Sequence, residues 1–233
     1  MSDTSTTTAS SRRPNARDAK RAARTARGAA SQPYIVRKIP RFEVLGEEGL
    51  AIIEDNADRI LEEVGIEFRE DPEVLEIWRK AGANVDGERV RMPRGMCRQL
   101  IREHAPREFT QVARNPARDV RIGGDATVFV PAYGSPFVRN LDEGRRYARI
   151  EDFRNFVKLA YMSPSLHHSG GTLCEPVDIP VAKRHLDMIY THIKYSDKPF
   201  MASVTAGERS ADSVAMAEMV FGKDFVDQNC VMT

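Results

Sequence analysis

Apolar residues return at helical spacing along 45–64, where Leu50, Ile53, Ala57, Ile60, Leu61 and Val64 form one stripe. Gly65 follows as a stop residue that accepts the left-handed conformation. Ile66 to Phe68 reads as a short strand. Asp71-Pro72 is a side-chain cap followed by proline at the first helical position, so a helix is predicted from Pro72 to Ala81, ended by Gly82. Asp86-Gly87 between Ala83–Val85 and Arg89–Met92 is a hairpin turn signal. Pro93 opens a further helix with Met96, Leu100 and Ile101 on one face.

The pattern then changes. Phe109 to Ala113, Val120 to Ile122 and Thr127 to Val130 are short strand-like runs, separated by Asn115-Pro116 and Gly123-Gly124. Pro136 to Leu141 and Arg145 to Arg149 flank Asp142-Glu143-Gly144, a second hairpin signal. From Ile150 a helix is predicted with Phe153, Phe156, Val157 and Ala160 inward.

From residue 165 the order is strand, helix, strand, helix, strand. Leu166 to Cys174 and Phe200 to Val204 are compact apolar runs on either side of Lys183–Tyr195, where Leu186, Ile189, Tyr190 and Ile193 share a helical face. Val214, Ala217, Met219 and Val220 mark a helix over 210–221, and Gln228 to Met232 reads as the next strand. Such units build parallel sheets, open or closed into a (β/α)8 barrel, with chemistry beyond the carboxyl ends of the strands. The expected fold is therefore α/β: the first part of a (β/α)8 barrel over 126–233, behind a helical and hairpin region over 41–125. A barrel of about 250 residues does not close in the units present. The chain is therefore expected to be the N-terminal part of a longer protein, or a truncated gene product.

Composition refines this picture. Residues 1–41 hold ten Lys/Arg against Asp3 and Asp18, a net of +8, and the whole chain of 233 residues has +1, so the remainder carries −7. Residues 1–40 are expected to be a disordered, solvated basic tail, with nucleic-acid contact or a transit function as the lesser readings. No apolar run reaches the ~20 residues of a membrane span. Three cysteines at wide spacing, Cys97, Cys174 and Cys230, argue for a reducing cytoplasm rather than a disulfide framework.

Candidate chemistry is sparse. Tyr133 and Phe137 lie in a bend between strands and are able to face a cationic ligand, although packing is the commoner role of such residues. His167, His168, Cys174 and Glu175 are the one ligand-like cluster, and a zinc site would want three or four such groups. They lack the tight spacing of known zinc motifs, so a satisfied histidine and a buried thiol are expected. His185 and His192 sit seven apart at what read as helix-surface positions with structural roles. Lys198 opens a strand and is expected to be solvated. Ser203 and Thr205 lie at the strand end where chemistry is expected. No phosphate-binding glycine motif is present.

Five segments, Gly46–Phe68, Ala81–Pro93, Ala113–Gly124, Gly134–Arg146 and Arg184–Val204, resemble in order the trimethylamine methyltransferase family, the corrinoid-dependent methyltransferases of methylamines and quaternary amines. The resemblance covers Arg41 to Thr233. It implies a (β/α)8 barrel and transfer of a methyl group from trimethylamine or a quaternary amine such as glycine betaine to the Co(I) of a separate corrinoid protein. The corrinoid is then carried by the partner, with no metal or cofactor held directly, no membrane and no nucleic acid required. A homo-oligomer is expected of the full-length protein. Because the nucleophile belongs to the partner, the enzyme needs only to hold a cationic N-methyl group. Tyr133, Phe137, His168, Glu175 and Ser203 are the residues expected to line that site, and no catalytic residue is assigned. The competing readings are a zinc enzyme on His168, Cys174 and Glu175, or a non-catalytic remnant.

Overall fold

The computed structural model describes residues 32–203 and 205–233. The expected basic tail therefore lies, over residues 1–31, outside the described residues, as does Val204. The chain divides into two compact units, one of residues 38–107 and one of residues 32–37 with 108–233.

In the second of these, β1 (Ile35–Val36) returns later as a partner for β7. The 38–107 unit begins with α1 (Glu47–Glu63), which contains no buried residue. Its stripe is exposed: Leu50, Ile53, Ile60 and Val64 are each more than half accessible. Only Leu61, from that stripe, packs on the small core of Leu75, Val90 and Met92. β2 (Ile66–Glu67) pairs with β4 (Arg89–Arg91), which also pairs with β3 (Asn84–Asp86) across the predicted Asp86-Gly87 turn. α2 (Pro72–Ala81) is capped as its sequence dictates. The Asp71 side chain accepts from the Val74 N–H at 3.1 Å, and Gly82 stops the helix at φ +94°. Gly65 is needed for two reasons. Its φ is +70°, and a Cβ there would stand 2.3 Å from the Val90 carbonyl oxygen. α3 (Met96–His104) ends the unit.

The 108–233 unit opens with β5 (Glu108–Gln111) antiparallel to β6 (Val120–Gly123). β7 (Ala126–Thr127) pairs with β1 and is shorter than the run predicted to Val130. β8 (Phe137–Asn140) and β9 (Gly144–Tyr147) form the second predicted hairpin. α4 (Ile150–Met162) follows. Its start is a capping box in which Asp152 accepts from the Arg149 N–H at 2.8 Å. The same carboxylate takes both Arg146 guanidinium nitrogens, at 2.7 and 2.9 Å, which ties the hairpin to the helix. Phe153, Val157 and Ala160 are buried, whereas Phe156, predicted inward, is over a third exposed. Val138, Ala148, Leu173, Cys174 and Met188 complete this core.

The last stretch differs most from expectation. α5 (Val181–Tyr195) and α6 (Gly207–Phe221) are present, with a short α7 (Lys223–Gln228) after them. The three predicted strands are not regular strands. Instead the segments lie side by side through single contacts, with parallel bridges at Gln111–Cys230 and Phe200–Met232. Ser169 N–H also donates to Pro199 O at 2.8 Å, Met201 N–H to Gly170 O at 2.9 Å, and Ala202 N–H to Thr233 O at 2.9 Å. The reason is local. Gly170 N–H goes to His168 Nδ1, Lys198 N–H to Ser196 Oγ, and Ser203 N–H to Ser213 Oγ. Amides taken by side chains do not extend a ladder. The described residues form a mixed helix-and-strand fold without a closed barrel. Among them no helix is long and apolar enough to cross a membrane.

Candidate functional site

Gly134 N–H donates to Thr172 O at 2.7 Å and Glu175 N–H to Ser135 O at 2.9 Å, so the 133–135 bend is pinned along 172–175. The first turns of α5 bring Arg184, His185 and Met188 to the same place. Ser203, Thr205 and Arg209 arrive from the entry to α6. Together these enclose a cleft of about 340 Å³. That volume lies within the usual range for small-ligand sites.

Three of the five residues expected at the site, Tyr133, Glu175 and Ser203, line this cleft. Tyr133 is well exposed, so its ring is open to the cleft and to solvent. Glu175 forms an ion pair with Arg184, whose Nε and Nη2 also reach the Ile179 carbonyl at 3.3 and 3.2 Å. Ser203 is held by Ser213, whose hydroxyl faces both its N–H and its C=O.

Phe137 is placed elsewhere. It packs on Tyr147 with ring centroids 4.7 Å apart, and the Arg145 guanidinium lies 3.9 Å over its ring. His168 is placed elsewhere too, in a buried polar knot beneath the apolar runs. Its Nδ1 accepts from Gly170 N–H at 2.8 Å, so the ring proton sits on Nε2, which donates to Gln111 Oε1 at 3.2 Å. Gln111 Nε2 then donates to Phe200 O at 2.9 Å. His192 is arranged in the same way. Its Nε2 faces the Gly171 carbonyl at 2.9 Å and must donate, so Nδ1 accepts from Ser169 Oγ at 2.7 Å. Burial holds both rings neutral, with pKa values pushed down to about 4. Repulsion from a protonated His192 would lower His168 further.

The zinc arrangement does not assemble. Both ring nitrogens of His168 are engaged, and burial pushes the Cys174 thiol up to about 12. Glu175 turns to Arg184. Among the described residues no three His, Cys, Asp or Glu side chains gather as a ligand set. All three cysteines are free thiols.

Three expectations are corrected here. His185 and His192 are buried, at 4% and 2% exposure, not on the helix surface. Lys198 is buried at 3% exposure. Its ammonium donates to the carbonyls of Ala160, Ser163 and Leu166 at 2.7, 2.9 and 2.7 Å, closing the C-terminus of α4. Burial, with the nearby Arg118 charge, pushes its pKa down to about 8.

His185 is the cleft residue the sequence hid. Its Nε2 donates to Asp212 Oδ2 at 2.8 Å, while its buried Nδ1 finds no partner among the described residues. The ring also borders a cavity of about 10 Å³ beside Thr172 and Ser203, a volume close to that of one water. A buried polar atom without a protein partner, in a cleft wall, marks a place for water or ligand.

The described residues form a mixed helix-and-strand protein with a cleft whose lining is charged, hydroxyl-bearing and aromatic. Its sequence is matched over residues 12–233 by the family model for trimethylamine methyltransferase (MTTB), and the chain belongs to that family of methyltransferases. It is 46% identical over 195 residues to a glycine betaine methyltransferase of Desulfitobacterium hafniense (strain Y51), covering 83% of this chain and 40% of that protein. It is 31% identical over 149 residues to a proline betaine:corrinoid methyltransferase of Eubacterium limosum, covering 63% of this chain and 30% of that one. The chain thus spans less than half the length of these curated relatives.

Proposed function

We propose that this chain belongs to a methyltransferase that moves a methyl group from a methylated amine to the cobalt of a separate corrinoid protein. The amine is trimethylamine or a quaternary amine such as glycine betaine. The observation that carries the reading is the cleft itself, in a chain of this family: an open tyrosine ring and a glutamate beside hydroxyls suit a methylated ammonium. The corrinoid protein is the second substrate and supplies the attacking electron pair. As the C–N bond breaks, its electron pair stays on nitrogen, so a quaternary ammonium leaves as a neutral tertiary amine. Tyr133 and Glu175 would stabilise the cation before transfer, and the pinned 133–135 bend would orient it. Phe137 and His168 are not proposed as contacts; they act on the hairpin and on the buried knot.

The barrel reading is supported by the parallel bridges Gln111–Cys230 and Phe200–Met232. Residues 126–233 would then be the opening part of a (β/α)8 barrel and 41–125 its helical and hairpin prelude. A homo-oligomeric whole protein in the cytoplasm is part of the same proposal.

The test is incubation of the full chain with a panel of methylated amines and reduced corrinoid protein, following both the demethylated amine and the corrinoid absorption spectrum. Equimolar loss of the amine's methyl group and change of the corrinoid spectrum is expected. No transfer from any amine, together with no binding of any to the chain, would overturn the reading.

A further inference from the structure

We propose that Arg209 is a specificity-determining residue that anchors a carboxylate at the far end of the ligand, so that the cleft selects zwitterionic quaternary amines over amines without an anionic tail. This rests on the reading of the cleft as a methylated-amine site.

The cleft contains two arginines with different partners. Arg184 is neutralised by Glu175 and further held by the Ile179 carbonyl. Arg209 is half-buried, and among the described residues its side chain makes one bond, from Nη1 to the neutral Thr205 hydroxyl at 2.7 Å. None of the described carboxylates pairs with it. Asp212, one turn further along α6, is engaged by His185. A guanidinium has five donors in a planar fork that matches a carboxylate. Among the described residues most of those of Arg209 are uncommitted. Its position in the first turn of α6 adds the positive end of that helix. Ser203, Thr205 and Thr172 line the same cleft and offer hydroxyl donors.

Tyr133 supplies the complementary feature, an exposed aromatic face, beside the Glu175 carboxylate that is shared with Arg184. A ligand with a trimethylammonium head and a carboxylate tail satisfies both sets. Trimethylamine, cationic or neutral, has no group for Arg209 to bind and so gains nothing from it.

The experiment is calorimetric titration of the full chain with two probes, glycine betaine and tetramethylammonium, for the native protein and for Arg209→Gln and Arg209→Lys. Circular dichroism and thermal melts confirm that the variants fold. The native chain is expected to bind glycine betaine the more tightly. Arg209→Gln should weaken glycine betaine by about tenfold to a hundredfold, the range for a charge-assisted hydrogen bond. It should change tetramethylammonium by less than about twofold. Arg209→Lys should recover part of the loss, since it keeps the charge and not the fork. An equal effect on both probes, or none on glycine betaine, overturns the role of Arg209 and leaves the amine site standing. Binding of tetramethylammonium with no binding of glycine betaine does the same. Failure of the native chain to bind either probe overturns both readings.

Discussion

Acidification should unfold this protein through two histidines before its carboxylates titrate. His168 and His192 each use one ring nitrogen as an acceptor and the other as a donor, and burial lowers both pKa values from 6.5 to about 4. Adding a proton turns each Nδ1 from acceptor to donor. His168 would then face the Gly170 N–H, and His192 would face a hydroxyl that now has to rotate. The folded state takes up these protons only near pH 4, whereas the unfolded chain takes them up near pH 6.5. Stability contributed by the neutral rings is therefore fully present above about pH 6.5 and is lost as pH falls toward 4. Each ring contributes roughly 3 kcal/mol over that interval, and the pair roughly 5 kcal/mol, since part of the His168 shift is its repulsion by a protonated His192. Typical domains have roughly 5–15 kcal/mol in total. The depressed carboxyl of Asp152, held down by Arg146, acts below this window. The assay is urea denaturation followed by far-UV circular dichroism at a series of pH values. The unfolding free energy should fall with a slope approaching about 2.7 kcal/mol per pH unit between pH 6 and 4.5. Histidine ring resonances in NMR should show His168 and His192 not titrating above about pH 5. A flat stability profile from pH 7 to 4.5, or ordinary titration of all five rings, would refute the reasoning.

Lys198→Met should cost about 3 kcal/mol, because the carbonyls of Ala160 and Ser163 at the end of α4 and of Leu166 just beyond it lose their charged donor together; urea denaturation at pH 7 checks it, and a loss below about 1 kcal/mol would contradict the cap. Gly65→Ala should be worse than Gly82→Ala, although both sites have positive φ. Only at Gly65 does the added carbon meet backbone, the Val90 carbonyl, while nothing lies within 4 Å at Gly82. The first should cost more than about 2 kcal/mol and the second about 1 kcal/mol, compared by thermal denaturation.

Local signals were legible in the sequence. Asp71-Pro72, Gly82, Asp86-Gly87 and Asp142-Glu143-Gly144 each determine a cap or turn through a few neighbouring atoms, and the structure has them where the residues require. What depends on distant partners was not legible. The face of α5 read as inward was Leu186, Ile189, Tyr190 and Ile193, yet Tyr190 is half exposed and the buried face holds His185, Met188, Ile189, Thr191 and His192. Hydropathy counts His192 as polar. It is buried because Ser169 and Gly171, more than twenty residues earlier, satisfy both its nitrogens. Lys198 was misread for the same reason, since its acceptors lie 32 to 38 residues away. Tyr133, Glu175 and Ser203 line the candidate cleft, because bends and the ends of apolar runs come to the surface together. Arg184, His185 and Arg209 carried no local mark. Glu175, nine residues before Arg184, was the available hint.

Gln111 has a consequence for how the chain acquires its shape. Its backbone bridges to Cys230, and its side chain holds Phe200 and His168, so one residue near the middle waits for partners 57 to 119 positions downstream. Links spanning that much chain are slow to form, since the intervening loop must close first. On the ribosome, residues 38–107 have all their own pairings available early. The half organised around Gln111 has to stay incomplete until Cys230 has left the exit tunnel, and it is during that wait that the nascent chain would most need a chaperone.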